Sequence, residues 1–149
     1  TVQSLMKRQF PFSCSASSSL GDGWSCEKIY DNEPSSWQDK SLECADATLE
    51  FTFSKDVYFE FLTYENLDDS KSFKRNFKPR DILITSEEEG FSIEYELENQ
   101  NTSTQWIDLN TTTSVITIQI LSAYPGEEVN GAEAFPECAI EEITFYGRG

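Results

Sequence analysis

With 149 residues the chain has room for one domain that buries roughly two-thirds of its unfolded surface. Its 27 acids against 11 bases leave a net charge of −16, a field that repels phosphate backbones and anionic lipid and argues against nucleic acid as a partner. Cations, basic proteins and neutral glycans stay open, as does solubility alone. Hydrophobic content of 38% argues against disorder, and eleven Phe and six Tyr beside a single Met favour strands over helices. No run approaches 18 apolar residues, so no direct membrane insertion is expected. Residues 1–8 lack the apolar region of a signal peptide, and the expectation is a chain that follows a removed signal or is excised from a larger protein.

Residues 9–19 read as a short strand running into a serine-rich loop, and Gly21-Asp22-Gly23-Trp24 as a turn with an indole beside it. A loop from 26 to 46 contains Asp31-Asn32-Glu33-Pro34-Ser35-Ser36-Trp37, which gathers acids, hydroxyls and a turn proline ahead of an indole. Residues 48–53 alternate through Leu49, Phe51 and Phe53, and 57–64 are apolar on both faces, with Ser54-Lys55-Asp56 between them short enough for a hairpin. A polar connection over 65–79 is followed by a strand at 80–86. Glu87-Glu88-Glu89-Gly90 is an acidic turn. A strand at 91–97 alternates through Phe91, Ile93, Tyr95 and Leu97. A short strand at 105–109 carries Trp106, and 115–121 points Ile116, Ile118 and Ile120 inward. A long loop, 122–137, leads to a last strand at 139–146. About eight antiparallel strands with no helical periodicity predict an all-β, single-domain jelly-roll sandwich over 1–149.

Cys14, Cys26, Cys44 and Cys138 are spaced too widely for a zinc motif, and there is no His to join them. Two disulfides and an oxidising compartment fit an even count. Three connectivities are open, and the favoured one ties the first strand to the last through Cys14–Cys138, with Cys26–Cys44 bracketing the opening loop. Asn101-Thr102-Ser103 and Asn110-Thr111-Thr112 are glycosylation sequons, in keeping with secretion.

The 31–37 stretch resembles the D-G-D-P-S-T-x-W loop of discoidin-like modules, the coagulation-factor C-domain type and related carbohydrate-binding jelly rolls. Ser72-Phe73-Lys74-Arg75-Asn76-Phe77-Lys78-Pro79-Arg80-Asp81-Ile82-Leu83-Ile84 is similar to a K-x-N-x-R-x-K segment of one branch, the glycan-binding module attached to NAD glycohydrolases. Ile118-Gln119-Ile120-Leu121-Ser122-Ala123-Tyr124-Pro125-Gly126, then Ala139-Ile140-Glu141-Glu142-Ile143-Thr144-Phe145-Tyr146-Gly147, match that branch's ending. The resemblance spans about 12–147, leaving 1–11 as an N-terminal extension, and implies a discoidin-like, galactose-binding-like fold. Asn32 stands where the family loop has glycine.

Four constellations carry chemistry. Asp31, Glu33 and Ser36 offer hard oxygens within one turn, as Ca²⁺ requires. The resemblance implies a structural calcium held by Asp31, Ser36 and Glu142; an Asx-type turn at Asp31 is the plainer reading. Trp24, Tyr30, Trp37, Tyr64 and Tyr124 are candidate sugar-stacking rings, of which Trp37 fits the core better and Trp24 and Tyr124 fit a platform better. The basic segment 71–80, with Lys74, Arg75 and Arg80, either contacts an anionic glycan or acidic partner or is a solvated loop that balances nearby acids. Catalysis is not expected. No His is present, the cysteines are expected to be oxidised, and neighbouring Glu141 and Glu142 would point to opposite faces of a strand. The reading is a non-catalytic extracellular recognition module for glycan binding or adhesion, with Trp24, Tyr64, Lys74, Arg75, Arg80 and Tyr124 as ligand residues. The alternatives are a protein–protein interaction ectodomain and a targeting module of a secreted enzyme.

Overall fold

The computed structural model describes residues 7–17, 26–30, 37–42, 44, 47–65, 76–87, 90–98, 104–128, 130–131, 135–140 and 142–148. Among them are eleven strands: β1 (Lys7–Gln9), β2 (Ser13–Ala16), β3 (Trp37–Leu42), β4 (Thr48–Glu65), β5 (Asn76–Pro79), β6 (Asp81–Ser86), β7 (Ser92–Glu96), β8 (Thr104–Ile120), β9 (Ala123–Tyr124), β10 (Phe135–Ile140) and β11 (Glu142–Arg148). A 3-10 turn, Cys26–Ile29, precedes β3. The larger sheet runs β1-β11-β4-β8-β6-β7, with β2 also paired to β4, and the smaller runs β3-β10-β5-β9. Among the described residues all pairings are antiparallel except β10 with β5. No helix of the described residues is long and apolar enough to cross a membrane.

The β4–β8 ribbon organises the molecule. Its two strands pair from Thr48↔Gln119 to Glu65↔Thr104 with two interruptions. Between Thr52↔Val115 and Val57↔Thr113, residues 53–56 of β4 oppose Ser114 alone; between Phe59↔Thr111 and Phe61↔Asp108, Glu60 opposes Leu109 and Asn110. Extra residues on one strand bend a ribbon and raise its twist. Asn110 takes the left-handed conformation this requires, with φ +54°, which asparagine tolerates better than most residues. The bend is large. Phe145 is registered to Leu62, eleven positions beyond Phe51 on β4, a distance of roughly 36 Å along a straight strand. Yet the Phe51 and Phe145 ring centroids lie 5.1 Å apart. The ribbon therefore folds over on itself, and its two halves face each other across the core.

That core is aromatic at its centre. Phe53 lies 4.7 Å from Phe59 and 5.3 Å from Phe145, with Tyr30 edge-on to Phe51 at 6.3 Å. Ile116, Ile118 and Ile120 point inward from β8 as the alternation predicts, and Trp37 is fully buried at the start of β3.

Several sequence expectations change. The hairpin expected at Ser54-Lys55-Asp56 is a bulge within one strand, and the separate strands expected at 105–109 and 115–121 are both β8. Residues 76–79, expected in a polar connection, form β5, where Asn76, Lys78 and Pro79 are buried. The expected last strand is two, β10 ending at Ile140 in the small sheet and β11 starting at Glu142 in the large one.

The disulfide pairing is Cys14–Cys26 and Cys44–Cys138, with Cα separations of 5.8 and 4.8 Å, not the expected Cys14–Cys138 and Cys26–Cys44. The reason is topological. β2, which carries Cys14, lies against the N-terminal half of β4, with Cys14 opposite Phe51 and next to the 3-10 turn that carries Cys26. Cys44 sits between β3 and β4, and β3 pairs with β10, which carries Cys138. The first strand does meet the last, but through the β1–β11 hydrogen bonds.

Candidate ligand-binding site

Three chain crossings meet where β5 leads into β6. Pro79 pairs with Ala123 and Lys78 with Tyr124. The Arg80 amide donates to the Ser122 carbonyl at 2.9 Å, and the Leu97 amide donates to the Arg80 carbonyl at 2.6 Å. Asp81 and Ser122 lock the crossing reciprocally: the Asp81 amide donates to Ser122 Oγ at 3.1 Å, and that hydroxyl donates to Asp81 Oδ2 at 2.6 Å. A charge-assisted O–H···O⁻ bond of this length is among the stronger ones a surface site can hold.

On this frame the Tyr124 hydroxyl donates to the Leu97 carbonyl at 2.7 Å, which fixes the ring. Arg80 lies with its guanidinium carbon 5.7 Å from the ring centroid and its Nη2 4.0 Å from Glu96 Oε1. Partial burial and then the Glu96 carboxylate push the Tyr124 hydroxyl above its ordinary range, against the opposing Arg80 charge. It stays a neutral donor at physiological pH. The Arg80–Glu96 pair is solvent-exposed and contributes little stability. Its effect is orientation.

Beneath this corner Lys78 is buried at 2% exposed, and its Nζ donates to the Asn76 carbonyl at 3.1 Å. Burial lowers its pKa, while the nearby Glu127 acts the other way. Period-2 alternation could have placed Lys78 inward, but a lysine in a polar connection reads as solvated. Sequence reasoning therefore missed it.

The predicted ligand residues divide. Arg80 and Tyr124 are brought together at this corner. Tyr64, expected among loop aromatics, is 1% exposed inside the core, opposite Gln105 of β8. Its hydroxyl has no hydrogen-bond partner among the described residues, and burial pushes its pKa far up. It offers a ligand no ring face. Gln105 links it to the corner, since Gln105 Oε1 accepts from the Glu98 amide at 2.6 Å and Nε2 donates to the Glu98 carbonyl at 3.3 Å. Trp24, Lys74 and Arg75 lie outside the described residues, as do Asp31 and Ser36.

Glu142, the third residue of the expected calcium set, is 6% exposed on β11 and lies 3.8 Å from Arg8 Nη2. The described residues hold no group of three carboxylate, Cys or His side chains that converges on a metal. A guanidinium beside Glu142 already supplies positive charge there.

No protein-family model matches the chain, and no curated protein does. Solved structures match it across nearly its whole length, and what they share with it is a discoidin-like β-sandwich fold. One is the family 32 carbohydrate-binding module of Clostridium perfringens NanJ in complex with galactose, at 14% identity and a TM-score of 0.68, covering 90% of this chain and 92% of that one. A Bacteroides fragilis F5/8 type C domain matches at 12% identity and a TM-score of 0.60, covering 91% of each. A Streptococcus pneumoniae fucose-binding module matches at 16% identity and a TM-score of 0.59, covering 90% of this chain and 92% of that one. At these identities the likeness is one of fold.

Proposed function

We propose that the chain is a non-catalytic glycan-binding module and that its ligand meets the Arg80–Tyr124 corner. The observation that carries this reading is the Tyr124 ring, anchored by its own hydroxyl on Leu97 and flanked by a guanidinium, on a fold shared with a module solved in complex with galactose and with a fucose-binding module. A fixed aromatic surface beside a few oriented polar groups is what a sugar ring needs: its C–H face stacks and its hydroxyls are read. Glu96 and Asp81 balance Arg80 locally, so the corner suits neutral sugars that both donate and accept hydrogen bonds. An extracellular location fits two disulfides. In calorimetric titration with galactose, N-acetylgalactosamine and fucose, at least one is expected to bind. Tyr124→Ala and Arg80→Ala each weaken it by about tenfold or more, equivalent to ~1.4 kcal/mol. Absence of binding to all three and to a broad glycan array overturns the reading.

The same reading carries a structural Ca²⁺ held by Asp31, Ser36 and Glu142. Its measure is the melting temperature with and without chelator. A fall of several degrees on chelation supports the ion, and an unchanged value removes it.

A further inference from the structure

Three times among the described residues an arginine sits over an aromatic ring with a carboxylate beside it. Arg8 lies 4.6 Å from the Phe10 centroid and 3.8 Å from Glu142. Arg80 lies 5.7 Å from Tyr124 and 4.0 Å from Glu96. Arg148 lies 5.0 Å from Tyr58 and 3.9 Å from Glu60. The ring face attracts the guanidinium electrostatically, and the carboxylate orients it.

A fourth aromatic-and-acid group lies on the outer face of the β11–β4–β8 wall. Trp106 is 60% exposed on β8, and its ring packs 5.0 Å from Phe61, which stacks on Tyr146 at 4.8 Å. Register puts acids on the same face. Asp108 is opposite Phe61 and two residues from Trp106; Glu65 is two residues from Thr63, which is opposite Trp106. Cross-strand and diagonal neighbours at these positions are within reach of long side chains. Thr104 Oγ1 donates to Glu65 Oε1 at 3.1 Å and holds that carboxylate toward the strand. Among the described residues neither Asp108 nor Glu65 forms an ion pair, and no cation lies over Trp106.

We infer that this Trp106–Phe61–Tyr146 face is a docking surface for a basic protein segment, one that lays an arginine over the Trp106 indole between Asp108 and Glu65. Charge complementarity selects this occupant. The chain carries −16, and a field of that size draws basic segments to it and speeds their encounter. The incoming guanidinium would complete the arrangement that the protein builds for itself at Arg8, Arg80 and Arg148. A neutral glycan would use the indole but gain nothing from the charge. The rigid strand keeps the ordering cost of the receiving side small. The surface makes no use of Arg80 or Tyr124, so it stands or falls independently of the glycan reading.

The test titrates the full chain with a synthetic nonapeptide bearing arginine at alternate positions, and with a control peptide bearing glutamine instead, following heat and indole fluorescence. The arginine peptide is expected to bind and the control not to. Trp106→Ala weakens binding about tenfold. Asp108→Asn weakens it about threefold, as does raising salt from ~50 to ~300 mM. Equal binding of the control peptide, no binding of either, or indifference to both substitutions overturns the proposal. So does loss of sugar binding, rather than peptide binding, in Trp106→Ala, which would make the face a glycan subsite.

Discussion

The β4–β8 ribbon and β11 carry aromatic clusters on both faces, built from side chains a step or two apart in the same strands. Phe51, Phe53, Phe59 and Phe145 point inward, each 5% exposed or less, with ring centroids 4.7 to 5.9 Å apart. Phe61, Trp106 and Tyr146 point outward at similar ring spacings, yet Trp106 remains 60% exposed. Ring-to-ring contact is therefore common to both. What separates them is what lies on the far side of the rings: the folded-over half of the ribbon in one case, solvent in the other. An aromatic cluster on this scaffold contributes most to stability where the ribbon closes over it.

The largest expected effect comes from the inner cluster. Phe145→Ala removes the ring that touches Phe51, Phe53 and Phe59, and should destabilise the fold by about 3–5 kcal/mol in urea denaturation. A loss under about 1 kcal/mol would mean that the two halves do not pack as described. Tyr64, on the same inward side, gives a smaller and pH-dependent effect. Its pKa is raised well above 10.0 by burial, so the folded state holds its proton where the unfolded chain releases it. Below pH 10 the residue contributes no slope; as pH rises past 10 the unfolded chain ionises first, and stability is lost by up to ~1.4 kcal/mol per pH unit. Tyr64→Phe should remove that increment of alkaline sensitivity. At pH 7 it should leave stability within about 1 kcal/mol of the parent, on the stabilising side because the buried hydroxyl lacks a partner among the described residues. An unchanged alkaline unfolding profile sinks the assignment. The smallest effect is on the outer face, where Trp106→Ala should shift stability by no more than about 0.5 kcal/mol. A drop near that of Phe145→Ala would erase the distinction between the faces.

The same comparison marks how far the sequence could be read. Inward parity was legible along β8, where polar and apolar residues alternate, and the exposure of Trp106 follows from that parity because Gln105, Ile107 and Leu109 take the inside. Parity failed at Tyr64, since residues 57–64 are apolar on both faces and either set could be the core. Ser54-Lys55-Asp56 has the composition of a turn, but a bulge uses the same residues. Only the distant partner, with Ser114 alone opposite four residues of β4, decides between them. The cysteine pairing failed for a related reason: it depends on which strand lies beside which, and β1, not β2, took the place next to β11. At the candidate site, Arg80 and Tyr124 were legible as loop-end residues. The Leu97 carbonyl that anchors the tyrosine was not, because it is a backbone group brought there by the crossing of β6 and β7.

The antiparallel pairing of β1 with β11 has a mechanical consequence. Lys7 and Arg8 lie opposite Gly147 and Tyr146, so both ends of the described chain leave from the same edge of one sheet. A load applied across those ends peels β1 from β11 one hydrogen bond at a time, the geometry of a zipper rather than a shear clamp. Extension then stops at a covalent limit, because everything between Cys44 and Cys138 is held in a loop that force cannot open without reducing the bond. Under tension the module would yield early at its rim and keep the ribbon that forms its core.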